Sequence, residues 1–441
     1  MPTKRTRTFL IVALLFYLVA NQTQVGWLFV VSALLAGLVP ASWWLNRLML
    51  RDLSGDREIR NSTRPPALAA ADYPGSAYAI LAESMVEIHE ADAVQVALIL
   101  RQNGRLGGQD AAHVAVQETC PLAAAGSDGR HLSLFIPSIP NQSEARVTYD
   151  VTVDRRGLHQ FPPLALQSTA PFGFFRRRRQ LAIPTSLLVY PEVRPVSRLD
   201  LFDFRRAAER DRPRSGLGTE IMGIRPYRAG DSPRHIHWRT VARTQRLISK
   251  EFVDEAQPGV TVILDLFRHP YPRTESKHTP FEWSVKIAAS IGDYAQRAGY
   301  PLHLVADAAV LPVPLGALSW HPYLEYLAHI QPNGHSALPQ VVNSLTLQTF
   351  VAVLLPWPDI ELLPFLAELN YSRPGLLAIV LDPASFPAGG PTADSFFAAL
   401  GAGGIDARLI RFGDDWAGQI MGNAQPPVEK TGAGEKIREA L

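Results

Sequence analysis

The hydrophobic positions near the start of the chain form two continuous runs, at residues 9–20 and 25–45, separated by the polar residues 21–24. A helix that crosses a bilayer needs about 20 apolar residues. A single helix over both runs would be about 55 Å long, which exceeds a hydrocarbon core of about 30 Å. The pattern therefore predicts a hairpin of two transmembrane helices, at about residues 7–21 and 25–45, within a segment 1–52.

Basic residues flank the hairpin on both sides, whereas the turn has none. They are Lys4, Arg5 and Arg7 before the first run and Arg47, Arg51, Arg57 and Arg60 after the second. The positive-inside rule then places both ends, and the soluble part of the chain, in the cytoplasm. The alternative is a cleaved signal peptide, but Leu18 and Ala20 fit its small-residue cleavage pattern poorly and a second apolar run follows. We expect a multi-pass plasma-membrane protein whose first partner is the lipid bilayer.

Residues 56–196 show short alternating runs separated by turn signals such as Asn103-Gly104 and Asp128-Gly129. The runs predict strands at residues 94–100, 132–136, 146–153 and 187–190. Short strands with this spacing are typical of an antiparallel β-sandwich or barrel, and the pattern does not choose between them.

The periodicity changes after residue 259, where buried strands alternate with amphipathic helices. The predicted strands are residues 260–264, 302–306, 350–355, 376–381 and 407–412, and the predicted helices are residues 281–298, 319–330, 359–370 and 392–400. This alternation indicates a mostly parallel sheet in a Rossmann-like α/β domain spanning 223–422. Residues 197–222 are predicted to be a charged, partly helical linker and residues 423–441 a disordered tail. The hairpin, the β module and the α/β domain together give a predicted fold class of α+β multidomain.

Composition excludes several kinds of site. The single cysteine, Cys120, allows neither an intramolecular disulfide nor a cysteine-based zinc site. The formal charge of +2 gives no argument for nucleic acid, and we expect no such partner. The chain also has no P-loop and no nucleophile elbow.

Residues 223–251 are rich in cations. They are Arg225, Arg228, Arg234, Arg239, Arg243, Arg246 and Lys250. The last four recur at intervals of four, three and four, which would align them as one basic stripe on a helix. Such a stripe is either a solvated face or a docking surface for an acidic partner or anionic headgroups. The arginine run 176–179 is either a solvated loop or a contact with anionic lipid.

The same segment contains the pattern R-x-Y-x-x-G-D-x-x-R-x-I-H-W-x-x-x-A-R. The matching residues are Arg225, Tyr227, Gly230, Asp231, Arg234, Ile236, His237, Trp238, Ala242 and Arg243. This hallmark resembles that of the bacterial domain of unknown function 58 family, as do Arg155-Arg156-Gly157 and the residues 171–175. One departure is Ala170, which stands where the family usually has Asp before Pro-Phe-Gly.

The resemblance implies a von Willebrand A-like C-terminal domain and association with MoxR-type AAA+ ATPases in assembling other complexes. We therefore expect a non-catalytic scaffold that presents a protein-interaction surface, in complex assembly or envelope homeostasis, rather than an enzyme. The expected interaction or structural residues are Arg225, Tyr227, Gly230, Asp231, Arg234, His237, Trp238, Arg239 and Arg243.

A working von Willebrand A domain binds Mg²⁺ through a D-x-S-x-S motif, because a hard cation prefers oxygen ligands. Asp265 occupies the first position here, but Phe267 and His269 replace the two serines. We therefore expect no metal or other cofactor, and Asp265 is the candidate ligand if a metal does bind. The alternative function is a metal- or phosphate-dependent hydrolase centred on Asp231, His237 and Asp265.

Overall fold

The computed structural model describes residues 2–63, 87–104, 109–199, 215–227, 236–253, 259–267, 276–307, 316–342, 350–372 and 375–422. The chain divides into two compact units, Met1–Tyr190 and Pro191–Leu441. The predicted tail, residues 423–441, lies outside the described residues.

The first unit begins with two apolar helices, α1 (Lys4–Thr23) and α2 (Gly26–Met49), both longer than predicted. The chain reverses at Gln24, whose φ of 52° is left-handed. Small side chains bring the helices together: Ala20 is fully buried, and the Ser32 hydroxyl donates to the Ala13 carbonyl at 3.0 Å. Both helices are long and apolar enough to cross a membrane, as predicted, and only 17% of each apolar window is buried inside the protein.

Antiparallel strands make up the rest of the first unit. They are β1 (Leu53–Asn61), β2 (Ala93–Gln102), β3 (Ala111–Thr119), β4 (His131–Ile139), β5 (Glu144–Thr152), β6 (Gly157–Gln160), β7 (Leu164–Ser168), β8 (Arg177–Leu181) and β9 (Ser186–Val189). Their sheets have the orders β1-β2-β5, β4-β3-β7-β8 and β6-β9. A 3₁₀ turn, Asp128–Arg130, precedes β4.

Alternation along these strands produces one shared core. Val96 and Leu98 of β2 lie in the same buried cluster as Val114 and Val116 of β3, although the two strands belong to different sheets. Two antiparallel sheets facing each other across a common apolar layer form a sandwich-like module. The module starts at Leu53, a few residues earlier than predicted.

Strands and helices alternate in the second unit. They are β10 (Ser215–Pro226), α3 (Trp238–Thr244), β11 (Ile248–Val253), β12 (Val260–Leu264), α4 (Pro280–Arg297), β13 (Leu302–Val305), α5 (Trp320–His329), α6 (Leu338–Val342), β14 (Phe350–Leu355), α7 (Leu363–Ser372), β15 (Leu376–Leu381), α8 (Asp394–Ala402), β16 (Asp406–Ile410) and α9 (Trp416–Ile420). Two 3₁₀ turns, Ile360–Leu362 and Pro383–Ser385, lie between them.

Five of these strands form a parallel sheet of order β13-β12-β14-β15-β16. Every residue of β12, β14 and β15 is buried, because helices cover a parallel sheet on both faces. The strand order reverses between β12 and β14, and the crevice beyond their carboxyl ends is where such sheets usually bind ligands. The mixed α+β fold with a parallel sheet is thus confirmed.

The predicted linker at 197–222 is wrong over its last part, because residues 215–222 belong to β10. β10 and β11 form a separate antiparallel pair, with Ile224 opposite Lys250 and Pro226 opposite Ile248. This pairing supplies the backbone hydrogen bonds of a segment whose glycines and charges suggested a connector. Residues 200–214 of the predicted linker lie outside the described part of the chain.

Candidate functional site

The hallmark residues gather around one position of β11. Arg225 of β10 lies opposite Ser249, and Ile236 forms an isolated antiparallel bridge with the same Ser249. β11 therefore runs between two parts of the hallmark that are eleven positions apart in the sequence. Ser249 is buried at this crossing, so its backbone pairs on both sides without water.

Further main-chain hydrogen bonds fix the flanking hallmark residues. The Tyr227 amide donates to the Leu247 carbonyl at 3.0 Å, and the His237 amide donates to the Ile248 carbonyl at 2.9 Å. Tyr227 and His237 are thereby held on neighbouring residues of one segment, which brings the two halves of the hallmark together.

His237 caps the short helix α3. Its Nδ1 accepts from the Thr240 amide at 3.2 Å and contacts the Thr240 hydroxyl at 2.8 Å. A side-chain acceptor at this position satisfies one of the helix amides that have no partner within the helix. Thr240 is not one of the predicted site residues. Its position three residues after His237 is the sequence signal for it, because a capping side chain usually accepts from the amide at that spacing.

The described side chains of α3 and the following turn form an exposed surface that combines apolar and basic groups. Trp238 is 63% exposed and Leu247 is 51% exposed. The arginines Arg239, Arg243 and Arg246 are exposed as well. We call these five residues the α3 surface. A large exposed aromatic group beside guanidinium groups is typical of a protein-interaction site.

The single basic stripe predicted through Lys250 is wrong. The helix ends at Thr244, because Gln245 adopts a left-handed φ of 55° and its amide donates to the Val241 carbonyl. Arg239 and Arg243 remain one turn apart on α3, whereas Lys250 belongs to β11, whose ladder with β10 requires an extended backbone.

The structure brings together part of the predicted site. Tyr227, His237, Trp238, Arg239 and Arg243 lie on or beside the β11–α3 segment, and Arg225 is placed there by its backbone. Three predicted residues, Gly230, Asp231 and Arg234, lie outside the described residues.

Asp265 lies at the carboxyl end of β12, beside the point where the strand order reverses. Its Oδ1 accepts from the Phe267 amide at 3.0 Å, and its own amide donates to the Leu354 carbonyl at 3.2 Å. The carboxylate therefore holds its own loop. Within the described residues, no group of three or more His, Cys, Asp or Glu side chains is arranged to hold a metal ion.

The upstream elements that resemble the family lie in the first unit. Burial lowers the pKa of Arg156 to about 10, while the carboxylate of Glu90 opposes this shift. Gly157, with a φ of 115°, follows and starts β6. Ala170 is buried and its carbonyl accepts from Asn46 Nδ2 at 2.7 Å, so the position that departs from the family pattern contacts the end of α2.

Comparison with known families decides the identity of the hallmark segment. Residues 223–349 match the family model described as "Protein of unknown function DUF58". This segment is similar to the DUF58 family. It begins within β10 and ends just before β14, so it contains the end of β10, all of β11, the α3 surface and the strands β12 and β13.

Other comparisons add nothing to the DUF58 assignment. No curated protein matches the chain. Among solved structures, a GH20 exo β-N-acetylglucosaminidase from Vibrio harveyi, in complex with N-acetylglucosamine, is 9% identical, with 88% of this chain and 89% of that chain covered and a TM-score of 0.21. An inactive mutant of that enzyme is 8% identical, with the same coverage and a TM-score of 0.20. Scores this low do not indicate a shared fold.

Proposed function

We propose that this protein is a membrane-anchored, non-catalytic interaction factor whose DUF58 region binds an acidic protein partner through the α3 surface. The observation that carries the proposal is the exposure of Trp238, at 63%, on a helix whose next residue is Arg239 and whose Arg243 lies one turn after Arg239. Exposure of an indole ring to water raises the free energy, so a partner that covers the ring would gain binding energy.

The chemistry of the α3 surface specifies its partner. Trp and Arg are the residues that most often carry the binding energy of protein interfaces, and an apolar anchor surrounded by like charges selects a partner of opposite charge. His237 holds the surface in place by capping α3, and its amide ties the start of the helix to β11 by donating to the Ile248 carbonyl. The surface therefore fits an acidic protein with an apolar pocket.

The class of partner that we propose is a MoxR-type AAA+ ATPase, acting in complex assembly or envelope homeostasis. This class rests on the family resemblance, whereas the residues define only the chemistry of the contact. The covered parallel sheet supports our further proposal that the second unit is a von Willebrand A-like domain that presents the surface.

The hairpin supports anchoring in the bacterial plasma membrane with both ends in the cytoplasm. Its apolar side chains are largely exposed, which lipid would accommodate and water would not. Lys4, Arg5 and Arg7 lie in the first turn of α1, Arg47 lies in the last turn of α2, and Arg51 follows α2. Arg57 is not one of the charges that flank the hairpin, because it belongs to β1 and is buried.

The test is a binding titration of the full chain, reconstituted in lipid nanodiscs, against a purified MoxR-type ATPase from the same organism. We expect Trp238→Ala to weaken binding by about 30-fold or more, as truncation of a central interface anchor does. The charge reversal Arg239→Glu/Arg243→Glu should also weaken binding and should reduce its salt dependence.

Tyr371→Ala is the matched control, because Tyr371 is also a highly exposed aromatic residue of the second unit. Binding of this variant should equal that of the wild type. Equal binding by all variants would show that the α3 surface is not the contact, and no binding by the wild type would show that the partner class is wrong.

The alternative hydrolase centred on Asp231, His237 and Asp265 has less support. Nδ1 of His237 and Oδ1 of Asp265 both accept from backbone amides of their own segments, so these atoms serve local structure. Calorimetric titration with Mg²⁺ and Mn²⁺, with Asp265→Ala as the control, distinguishes the two functions. Binding that disappears in the control would favour the hydrolase.

A further inference from the structure

An aromatic loop, residues 171–175, lies against the start of α1. The Thr3 amide donates to the Phe174 carbonyl at 2.8 Å, and the Thr3 hydroxyl donates to the Gly173 carbonyl at 2.8 Å. The buried Thr6 hydroxyl also donates to the Phe174 carbonyl. The loop is therefore fixed by hydrogen bonds to the start of α1, a helix long enough to cross a membrane.

The end of α2 holds the same region from the other side. Asn46, buried in the last turn of α2, donates from Nδ2 to the carbonyl of Ala170. Arg179 of β8 donates from Nη1 to the carbonyls of Arg51 and Leu53, each at 2.9 Å, and to that of Leu50. The Leu50 carbonyl belongs to the cap of α2 and carries part of the negative charge of the helix end, which a guanidinium stabilises. Both helices of the hairpin thus anchor the loop and β8.

The aromatic side chains of this region are graded in exposure. Phe174 is buried and its ring centroid lies 4.7 Å from that of Phe9, at the start of the first apolar run. Phe172 lies 5.9 Å from Phe174 and remains 48% exposed. Trp43 and Trp44 of α2 are 50% and 60% exposed. Aromatic rings at the ends of membrane helices prefer the boundary between headgroups and acyl chains.

Exposed cations lie at the start of α1, at the end of α2 and directly after the aromatic loop. They are Lys4, Arg5, Arg7, Arg47, Arg51, Arg176, Arg177 and Arg178. The chain brings them from three places: the start of α1, the end of α2 and the start of β8. Arg5 approaches the loop directly, since its Nη1 lies 3.2 Å from where a Cβ on Gly173 would be. Cations placed near an anionic membrane surface are attracted to its headgroups.

We propose that this end of the first unit is a lipid-binding surface: Phe172 inserts at the boundary between headgroups and acyl chains, and Arg177 and Arg178 bind anionic phospholipid headgroups. The proposal rests on the membrane-spanning hairpin of the proposed function and adds a second, peripheral contact. Thr3 and Asn46 donate hydrogen bonds to the loop and to Ala170 before it, and Arg179 of β8 donates to the segment that follows α2. These bonds fix the depth of the loop, because they tie it to the residues where the helices enter the apolar layer. The β module is then clamped to the membrane surface rather than tethered to it.

The charges and the aromatic rings favour lipid over an acidic protein as the occupant. A site for an acidic protein could lie at any height above the membrane. A site for lipid headgroups must lie at the same depth as the first apolar residue of α1. Phe172 is next to Phe174, which contacts Phe9 directly, so the exposed ring sits at that level.

The experiment uses the full chain with Phe172→Cys, labelled with an environment-sensitive fluorophore and reconstituted into vesicles. The native Cys120 is buried and should stay unlabelled, which the wild type checks. The vesicles contain phosphatidylcholine and phosphatidylglycerol, with brominated acyl chains on one or the other lipid at equal mole fraction. We expect quenching by both, and about twofold or greater quenching by brominated phosphatidylglycerol.

Two matched variants and a second label site complete the design. Arg177→Gln/Arg178→Gln should equalise quenching by the two lipids, while Arg60→Gln/Arg130→Gln, which removes two charges away from the hairpin, should not. A label at Ser127→Cys, in the turn before β4, should not be quenched. Because Phe172→Cys removes the ring, a label at Arg176→Cys provides a second reading of the same loop.

Each outcome decides a different claim. Full chain that alkaline carbonate extracts from the vesicles would contradict the spanning hairpin of the proposed function. Full chain that stays in the vesicles while the loop labels are unquenched would overturn the lipid contact. Equal quenching by the two lipids in the wild type would overturn headgroup recognition by the arginines and leave an acidic protein as the partner of these charges.

Discussion

Arg57 shows that a side chain can serve a different part of the molecule from the one its sequence position indicates. It follows the second apolar run closely, yet β1 begins at Leu53 and turns Arg57 into the core of the β module. Its guanidinium lies 2.9 Å from Glu118, with the two side chains 0% and 1% exposed, and stacks 4.3 Å above the Phe161 ring.

Removal of one partner of this buried pair should be much more damaging than removal of both. We expect Arg57→Ala to lower the free energy of unfolding by about 3–5 kcal/mol, because it leaves the Glu118 carboxylate buried without its countercharge. The double variant Arg57→Met/Glu118→Leu should recover most of that loss. Urea unfolding of the wild type, Arg57→Ala, Arg57→Met, Glu118→Leu and the double variant measures these losses. If the losses of Arg57→Met and Glu118→Leu simply added in the double variant, the two side chains would not interact.

His237 offers a second test at the scale of one residue. If its role is to cap α3, His237→Asn should retain the stability of the helix and His237→Ala should lose about 1 kcal/mol locally. Hydrogen exchange of the Thr240 and Val241 amides reports this directly. Equal exchange in the alanine variant and the wild type would show that the Nδ1 contact with Thr240 does not hold the helix start.

Helices α4 and α5 meet at the scale of elements, where a glycine faces an aromatic ring. A Cβ on Gly292 would lie 2.3 Å from Cε1 of Tyr323, which is fully buried and donates from its hydroxyl to the Ala288 carbonyl at 2.7 Å. Because the ring is held, we expect Gly292→Ala to lower the free energy of unfolding by about 1–3 kcal/mol. Gly401→Ala in α8 meets no atom within 4 Å and should instead raise it by up to about 1 kcal/mol. Denaturant unfolding measures both changes in the free energy of unfolding. Changes of the same sign in the two variants would contradict this packing.

Asp307 joins the end of β13 to the segment that follows α5. Hydrogen bonds from the backbone amides of Ser336 and His335 lower its pKa below the ordinary value. A lowered pKa means that the folded state favours the carboxylate, so this stability is present above the unfolded pKa of about 3.9 and is lost as pH falls through the folded value. We expect wild type to be more stable than Asp307→Asn at pH 6 and the difference to shrink towards pH 2. Urea unfolding across this range measures it, and a constant difference would exclude a contribution from this carboxylate.

Elements whose backbone partners come from a covered sheet could be predicted closely. The bounds of β12, β14 and β15 equal those predicted, because continuous apolar runs occur only where both faces of a strand are buried. β10 could not be predicted in the same way. It contains glycines and charged residues, and only its pairing with β11 makes it a strand. The signal for β10 therefore lies in a partner strand more than twenty residues away.

The candidate site divides along the same line. The hallmark pattern identified Tyr227, His237 and Trp238, because particular side chains mark the segment. It could not identify Ser249 or Thr240, which take part through a backbone bridge and a cap. The basic stripe failed for a related reason: equal spacing of cations assumes one continuous helix, and Gln245 ends α3 before Arg246.

At the scale of the whole molecule, the two units should behave as separate cooperative domains. The hairpin and the β module share the first unit through contacts such as those of Arg179 with the end of α2, whereas Gly292 and Tyr323 lie within the second unit. Each unit has its own buried core, one of strands from two antiparallel sheets and one around the parallel sheet. A chain of 441 residues with two cores is expected to unfold in two steps.

Calorimetry of the full chain in detergent tests this organisation with two variants, one for each unit. Arg179→Gln loses charge-assisted hydrogen bonds to the carbonyls of Leu50, Arg51 and Leu53, a loss of about 1.5–3 kcal/mol, and should lower the melting temperature of one transition by about 4–10 °C. Gly292→Ala should lower only the other transition.

Arg178→Gln is the control for the first variant, because Arg178 is exposed and bonds only weakly, at 3.2 Å, to Gln167. If Arg179→Gln and Gly292→Ala shifted one common transition instead, the two units would have to be a single cooperative domain. Binding at the α3 surface would then be coupled energetically to the membrane contact of the aromatic loop.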